Sequence, residues 1–353
     1  MKQYIKSLKL KLLLEPLMKR VGLLLLITII FSSLSLSQSK VGTVAAPFLG
    51  ISIGPKALGM GSAFVASAND ASALYWNPSG ISRVMKSQFI ASHTNWLVGT
   101  NLNWAGLSIN LDNTNSIGLS FTQLDYGEDI VTTVLNPEGT GERWNAQDIA
   151  IGLTYARNLT DRFSIGGTVK YIGQQIYNES ATAFAVDIGL LYITEFNDLK
   201  IGMSISNFGT DMKMDGRDLV RRIDLDPGST GNNENIPSVL KTDNWALPLF
   251  FRVGVAMDVV KTSDIVVTLA ADAFRPSDNN SSVNVGMEFS WNDLLFIRGG
   301  YKNLFLTDTE EGLNVGGGIK YNFVEMNYIH FDYAFTSFGK FDNLHTFSLG
   351  ILF

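Results

Sequence analysis

Three histidines, no cysteine and a thin scatter of acidic residues bound the chemistry open to this chain. His93 follows Ser92 and precedes Asn95, the side-chain types of an outer-membrane phospholipase, but nothing in the pattern brings a nucleophile and a base together on neighbouring strands. His330 and His345 lack metal-ligand spacing and read as wall residues. The lack of cysteine excludes thiol catalysis, thiolate metal sites, a disulfide framework and a lipid-anchoring cysteine. Gly54, Pro55 and Lys56 with Gly59 and Gly61 resemble a phosphate-cradling loop only superficially, because no strand leads in and no Gly-Lys-Ser/Thr ending follows. Asp224, Asp226 and Asn232 to Glu234 could offer oxygens to Ca²⁺, though at a spacing unlike an EF-hand and within what reads as a solvated loop. The chain is therefore expected to carry no catalytic residue, no metal and no cofactor, and not to be an enzyme.

The elements around these residues point elsewhere. With 33 Gly, 22 Phe, 11 Tyr and 6 Trp against 9 Pro and 17% charged residues, the composition favours strands and tight turns over polar helices. From Ser87 onward, apolar and small or polar residues alternate in segments of about ten residues, the period of strands with two unlike faces. Phe184, Val186, Ile188, Leu190 and Tyr192 should point one way and Ala181, Ala183, Ala185, Asp187 and Gly189 the other. The final segment repeats the pattern, with His345, Phe347, Leu349, Ile351 and Phe353 against Thr346, Ser348 and Gly350.

Fourteen such segments are separated alternately by tight connections and longer ones. The longest are residues 125–145 and 207–245, rich in Gly, Asn and acidic residues. Short turns on one side and long loops on the other predict an all-β fold, a 14-stranded antiparallel transmembrane β-barrel over residues 87–353 with its long loops extracellular. The even strand number predicts that both mature termini are periplasmic. Phe163, Phe196, Trp291 and Phe323 beside the tight turns suit an interfacial aromatic girdle. The terminal Phe353 suits a barrel assembly signal.

Residues 1–39 read as a signal peptide: Lys2, Lys6, Lys9, Lys11, Lys19 and Arg20 precede the apolar run Val21 to Phe31 and a small polar tract. That run falls short of the ~20 residues a spanning helix needs. Removing its six basic residues and Glu15 would take 27 basic and 33 acidic residues to 21 and 32. So acidic a chain is not expected to bind nucleic acid. Residues 40–86 are dominated by small residues and predict an N-terminal hatch folded into the lumen. Asn69 or Asp70 should cap a short helix that runs to Trp76 and is stopped by Pro78. Gly316, Gly317 and Gly318 offer the wall a place of close approach.

The stretch from Ala57 to Ala66 (ALGMGSAFVA), followed by Asp70 to Gly80 (DASALYWNPSG), resembles the N-terminal signature of the PorV/PorQ family, outer-membrane proteins associated with type IX secretion. The stretch from Phe331 to Phe353 resembles that family's closing hairpin. The hatch motif that this resemblance carries comprises Asp70, Trp76, Asn77, Pro78 and Gly80, with Ser79 where Ala is common. The Asn77-Pro78 element also resembles the hatch of FadL-type transporters of long-chain fatty acids and other hydrophobic compounds. The resemblance implies a non-enzymatic secretion or shuttle component, with outer-membrane lipid around it and exported proteins or type IX secretion components as partners. The alternative is a FadL-like passive transporter of a hydrophobic small molecule. An apolar lumen pocket beside the hatch would favour the second reading, and a sealed or polar interior with an exposed binding surface the first.

Overall fold

The computed structural model describes residues 41–228, 235–307, 309–324 and 327–353. The expected signal peptide and Asn232 to Glu234 lie outside them. Fourteen long strands form the wall. They are β1 (Gln88–Asn95), β2 (Asn101–Asn110), β3 (Asn115–Ile130), β4 (Arg143–Asn158), β5 (Phe163–Ile176), β6 (Glu179–Ile193) and β7 (Lys200–Gly209). After the longest loop come β8 (Phe250–Lys261), β9 (Ile265–Pro276), β10 (Ser282–Trp291), β11 (Leu295–Leu304), β12 (Leu313–Val324), β13 (Asn327–Thr336) and β14 (Leu344–Leu352). Each pairs antiparallel with its sequence neighbour, and β1 closes the ring on β14 from Gln88↔Leu352 to Asn95↔His345. Closure satisfies every strand edge within the protein, the condition for a β-structure to sit in hydrocarbon.

Side-chain alternation decides which face is which. On β6, Phe184, Val186 and Ile188 are 61%, 40% and 51% exposed, while Ala183, Ala185 and Asp187 on the other face are buried. The same outward apolar band runs over the ring through Leu153, Val169, Ile297, Ile319 and Leu349. Large apolar residues outside and small or polar ones inside are the reverse of a water-soluble barrel. Phe196 and Trp291, next to tight turns, are also exposed. No helix among the described residues is long and apolar enough to cross a membrane, which says nothing of crossing by strands.

The long connections carry more structure than their composition suggests. β3 and β4 overshoot the expected loop 125–145 and stay paired out to Ile130↔Arg143, past a bulge between Asp125 and Glu128. Within 207–245, Val220–Ile223 pairs with Ile236–Val239, Met212–Lys213 with Asn244–Trp245, and Asp215–Gly216 adds to the start of β6. Gly, Asn and acidic content hid these short pairings, because a two- to four-residue strand has too few positions to show a period.

Residues before β1 run through the ring. At the loop end, the Ala45 amide donates to the Ala246 carbonyl at 2.9 Å and the Ala46 amide to Gln174 Oε1 at 3.0 Å. At the turn end, Arg83 donates to Ser164 Oγ and to the carbonyls of Asp161 and Thr160. The Phe353 amide bonds the Ser87 carbonyl at 2.9 Å, also at the turn end. Ala45 and Ala46 therefore sit at the end of the barrel opposite Phe353. An even strand number puts Gln88 and Phe353 at the same end, as reasoned. The segment ahead of Gln88 then uses the lumen to travel back.

Candidate functional site

The lumen is the one place where the sequence-predicted residues converge. Residues 47–84 make short turns: Pro47–Gly50, Pro55–Gly59, Ala73–Trp76 and Pro78–Arg83. Each helical piece is a turn or two long because Pro, Gly and Asn interrupt the run at short intervals. Such a chain has little regular hydrogen bonding of its own, so its polar groups must find partners in its own folds or in the wall.

Asn77 shows how completely this is done. It is fully buried. Its amide nitrogen donates to the Val65 carbonyl at 2.8 Å and to the Leu190 carbonyl on β6 at 3.0 Å. Its Oδ1 accepts from the Ser79 hydroxyl at 2.7 Å and the Ser79 amide at 3.3 Å, which starts the turn Pro78–Arg83. Both donors and the acceptor are thus used. Its extended backbone, φ −159° and ψ 100°, is what the following proline requires. Ser79 closes this knot.

The wall makes room for the knot with two glycines. Gly166 on β5 and Gly189 on β6 face each other in register. A Cβ on Gly189 would lie 2.1 Å from Asn77 Oδ1, and one on Gly166 2.5 Å from the Pro78 carbonyl carbon. Of the three glycines picked out from sequence, Gly316 meets the lumen segment, its Cα position lying against Gly59, whereas Gly317 borders only the Phe296 carbonyl and Gly318 the Asp332 carboxylate. Alternation alone could have separated them, since Gly317 faces the other side of the strand from its neighbours.

Asp70 does not cap the helix directly. The cap position of Ala73–Trp76 is Ser72, without a side-chain cap bond. Asp70 Oδ1 instead accepts from the Ser72 amide at 2.8 Å, and its Oδ2 lies 3.5 Å from Lys56 Nζ. Lys56 also donates to Asn69 at 2.7 Å, so the residue that hinted at a phosphate loop is spent on folding the segment. Trp76 is buried, donates its indole N–H to the Ile53 carbonyl at 3.1 Å and meets Phe64 and Tyr75 edge-on. A side chain on Gly80 would strike the Ala68 carbonyl at 2.4 Å.

Charged groups on the inner face complete the site; the sequence reading put Asp187 on that face but missed Asp272, Lys170, Glu288, Arg298 and Asp332. Asp272 on β9 accepts the backbone amides of Phe64 and Val65 through one oxygen, at 2.7 and 2.8 Å. Lys170 pairs with buried Asp187 at 2.6 Å. Arg298 bridges Glu288 and Asp332, and Asp332 also meets His330 at 2.8 Å. Around this last group, with Lys56, Asp70 and Lys320, lies a cavity of about 280 Å³ at the turn end. At the loop end, Phe48, Ile51, Leu97, Val98, Leu124 and Tyr126 line a shallow apolar concavity of about 580 Å³. The signal for the buried ions was there: a charged residue at an inward position of a strand whose other inward positions are small.

His93 is bonded to Asn103 and Asn95 at 2.8 and 3.0 Å on the outer face, while Ser92 is buried on the inner one. The two cannot act as nucleophile and base. His345 pairs with the Tyr333 hydroxyl at 2.8 Å.

The sequence profile of the family described as "Type IX secretion system protein PorV" matches residues 35–221. No protein with a curated description matches the chain. Among solved structures, the CymD monoaromatic hydrocarbon channel aligns with a TM-score of 0.56 at 12% identity, over 85% of this chain and 97% of that one. The Pseudomonas putida toluene transporter TodX aligns with a TM-score of 0.50 at 14% identity, over 84% and 96%. The Ralstonia pickettii toluene transporter TbuX does so at 0.50 and 10%, over 85% and 97%. Identities this low speak for a shared fold and not for a shared cargo.

Proposed function

This chain belongs to the PorV family of type IX secretion system proteins, and on that premise we propose that it is a non-enzymatic outer-membrane component that binds exported proteins at the cell surface. Residues 1–39 direct export and are removed, residues 40–86 plug the barrel, and the loop end faces outward. The observation that carries the reading is the filled lumen: a buried segment crosses it, and the space left at the turn end is lined by Lys56, Asp70, Glu288, Arg298 and Asp332. Such a lining suits a closed interior better than a passage for apolar cargo. Capture then falls to the exposed paired loops beyond β3 and β7, because an ordered loop on a rigid wall is a ready recognition surface.

Affinity capture of the intact protein from outer membranes tests this. Exported proteins that share a C-terminal domain should be recovered, and deletion of residues 211–240 with the barrel still assembled should abolish their capture. Retained capture after the deletion refutes the loop as the binding surface; recovery of no exported protein refutes the shuttle.

One observation favours a second reading, a passive transporter of a hydrophobic compound. The apolar concavity at the loop end, about 580 Å³, could receive such a molecule beside Phe48 and Ile51. Uptake of a hydrophobic tracer that depends on this protein, with no exported protein captured, would replace the first reading by the second.

A further inference from the structure

The outward apolar band is not of one height around the ring. On β6, Phe184, Val186, Ile188, Leu190 and Tyr192 present an unbroken apolar column, and on β8 Phe251, Val253, Val255, Met257 and Val259 do the same. At the seam the column is cut short. Towards the loop end, Phe89 and Ala91 on β1 give way to His93 and Asn95, and Leu107 and Ala105 on β2 to Asn103 and Asn101. Counted from the turns, His93 is the sixth residue past Ser87, and Val169 on β5 is the sixth past Phe163. With a rise of ~2.5 Å per residue along tilted strands, His93 stands ~15 Å above the turn end, within the ~25 Å apolar band of such barrels.

These side chains form one patch. His93 faces Asn103 and Asn95 faces Asn101 across β1 and β2, and Asn95 faces His345 of β14 on the other side. They are exposed or half-buried, and they bond one another: His93 with both Asn103 and Asn95. That pairing lowers the cost of setting them against hydrocarbon without removing it, because each keeps polar surface exposed. The wall is also low here: β1, β2 and β14 are 8, 10 and 9 residues long, against 16, 16 and 15 for β3, β4 and β6. Were another wall to cover the patch inside the bilayer, the surround facing lipid would have to be apolar on every side. Instead it runs on towards the loop end through Asn101 and its neighbour Asp125, and the apolar tip Trp96 to Val98 lines the concavity beside Phe48 and Ile51.

We propose that the bilayer is thinned along this seam, the lipid headgroups of the loop-end leaflet seating on His93, Asn95, Asn101 and Asn103, below the height they hold around β4 to β8. A bilayer yields to a short apolar span at small cost per ångström, whereas a polar side chain held against hydrocarbon loses its hydration. Headgroups and their water restore it. Beneath them Ala91, Ala105, Phe121, Phe331, Phe347 and Leu349 line a shallow groove of about 410 Å³ that receives the acyl chains. A flank of this kind leaves less hydrocarbon for a polar group to cross beside the barrel. The inference rests on the barrel spanning a bilayer and not on which cargo it takes.

The chain has no cysteine, so single-cysteine variants carry one nitroxide label each. The whole protein is folded into dioleoylphosphatidylcholine vesicles with the label on Ala91→Cys, just below the patch, or on Leu269→Cys of β9. Ala91 is the fourth residue past Ser87 and Leu269 the fourth past Ile265, so the two sites share one height. Electron paramagnetic resonance compares collisions with a water-soluble nickel chelate and with oxygen, which concentrates in hydrocarbon. The nickel-to-oxygen ratio should be at least threefold higher at 91 than at 269, and His93→Leu with Asn103→Leu should bring it down to the value at 269. Compact migration of unheated barrels in SDS gels reports whether the leucine variant has folded; if it has not, the comparison of 91 with 269 decides alone. Equal ratios at the two sites, a label at 91 shielded from both reagents as a second copy would shield it, or a ratio unmoved in a folded leucine variant each overturns the proposal.

Discussion

The side-chain amide of Asn77 donates to the backbone carbonyl of Leu190 across 3.0 Å, tying the segment in the lumen to the sixth strand of the wall. The same nitrogen holds the Val65 carbonyl at 2.8 Å. Asn77→Ala strands both buried acceptors, and loss of a buried partner costs ~1–3 kcal/mol. The temperature at which the barrel loses compact migration in SDS gels should fall. Asn77→Asp should lower it too, because a carboxylate cannot donate.

A methyl group on the facing wall should act from the other side. Gly189→Ala places a Cβ 2.1 Å from Asn77 Oδ1, so the knot must move or the strand must bow. Overpacking of this kind costs ~1–3 kcal/mol. Gly317→Ala provides the control, since its Cβ would sit in ordinary contact, 3.5 Å from the Phe296 carbonyl. Single-channel recordings should show new or larger openings for the first variant only; equal traces would mean that the knot does not seal the lumen.

Asp272 fixes the turn at Phe64 and Val65 by accepting both amides at 2.7 and 2.8 Å. Asp272→Ala should free that turn and expose it to protease from the lumen, because two buried amides lose their acceptor, a loss of ~1–3 kcal/mol for each group left unpaired. Limited proteolysis followed by mass spectrometry reads it directly: new cleavage between 60 and 70 is the expected outcome.

Arg298 stands between Glu288 and Asp332, the latter at 2.6 Å. Arg298→Met leaves two inward carboxylates facing each other, and breaking such a group from one side costs ~3–5 kcal/mol. Replacing Glu288 and Asp332 by methionine as well should restore most of the loss. Unfolding midpoints in urea, compared across the single and triple variants, distinguish a needed charge from a needed shape.

At the loop end, Glu310 accepts the Lys340 amide at 3.1 Å and pairs with its ammonium at 3.1 Å, and the backbone bond, the larger cause, holds the Glu310 carboxyl below its ordinary 4.5. A depressed folded-state value means the tether contributes fully above 4.5 and is lost as pH falls through the lower folded value. The protection factor of the Lys340 amide in hydrogen exchange should therefore hold from neutral pH down to 4.5 and drop only as the pH falls further. Glu310→Gln should remove that dependence.

Much of the wall was legible in the chain because lipid imposes the clearest contrast a sequence can carry. Phe184, Val186 and Ile188 alternate with Ala183, Ala185 and Asp187, and the eye needs no partner strand to see it. The interior was less legible. Asp272 binds amides more than two hundred positions earlier, and Gly166 matters only because it lies opposite Gly189, relations that exist after the register is set. Asn77 stood out through its resemblance to a known motif, not through any physical signal in its neighbours. The hairpin of Val220–Ile223 with Ile236–Val239 was too short to announce itself.

The path of residues 47–84 from the loop end to the turn end has a consequence for how the molecule is built. A finished cylinder already packed against Trp76, Asn77 and Pro78 offers no bore through which nearly forty residues could later be threaded. Closing the seam between Gln88–Asn95 and Leu344–Leu352 after those residues are in place would spare the chain that threading, which makes the pairing of the first and last strands the natural final step of assembly.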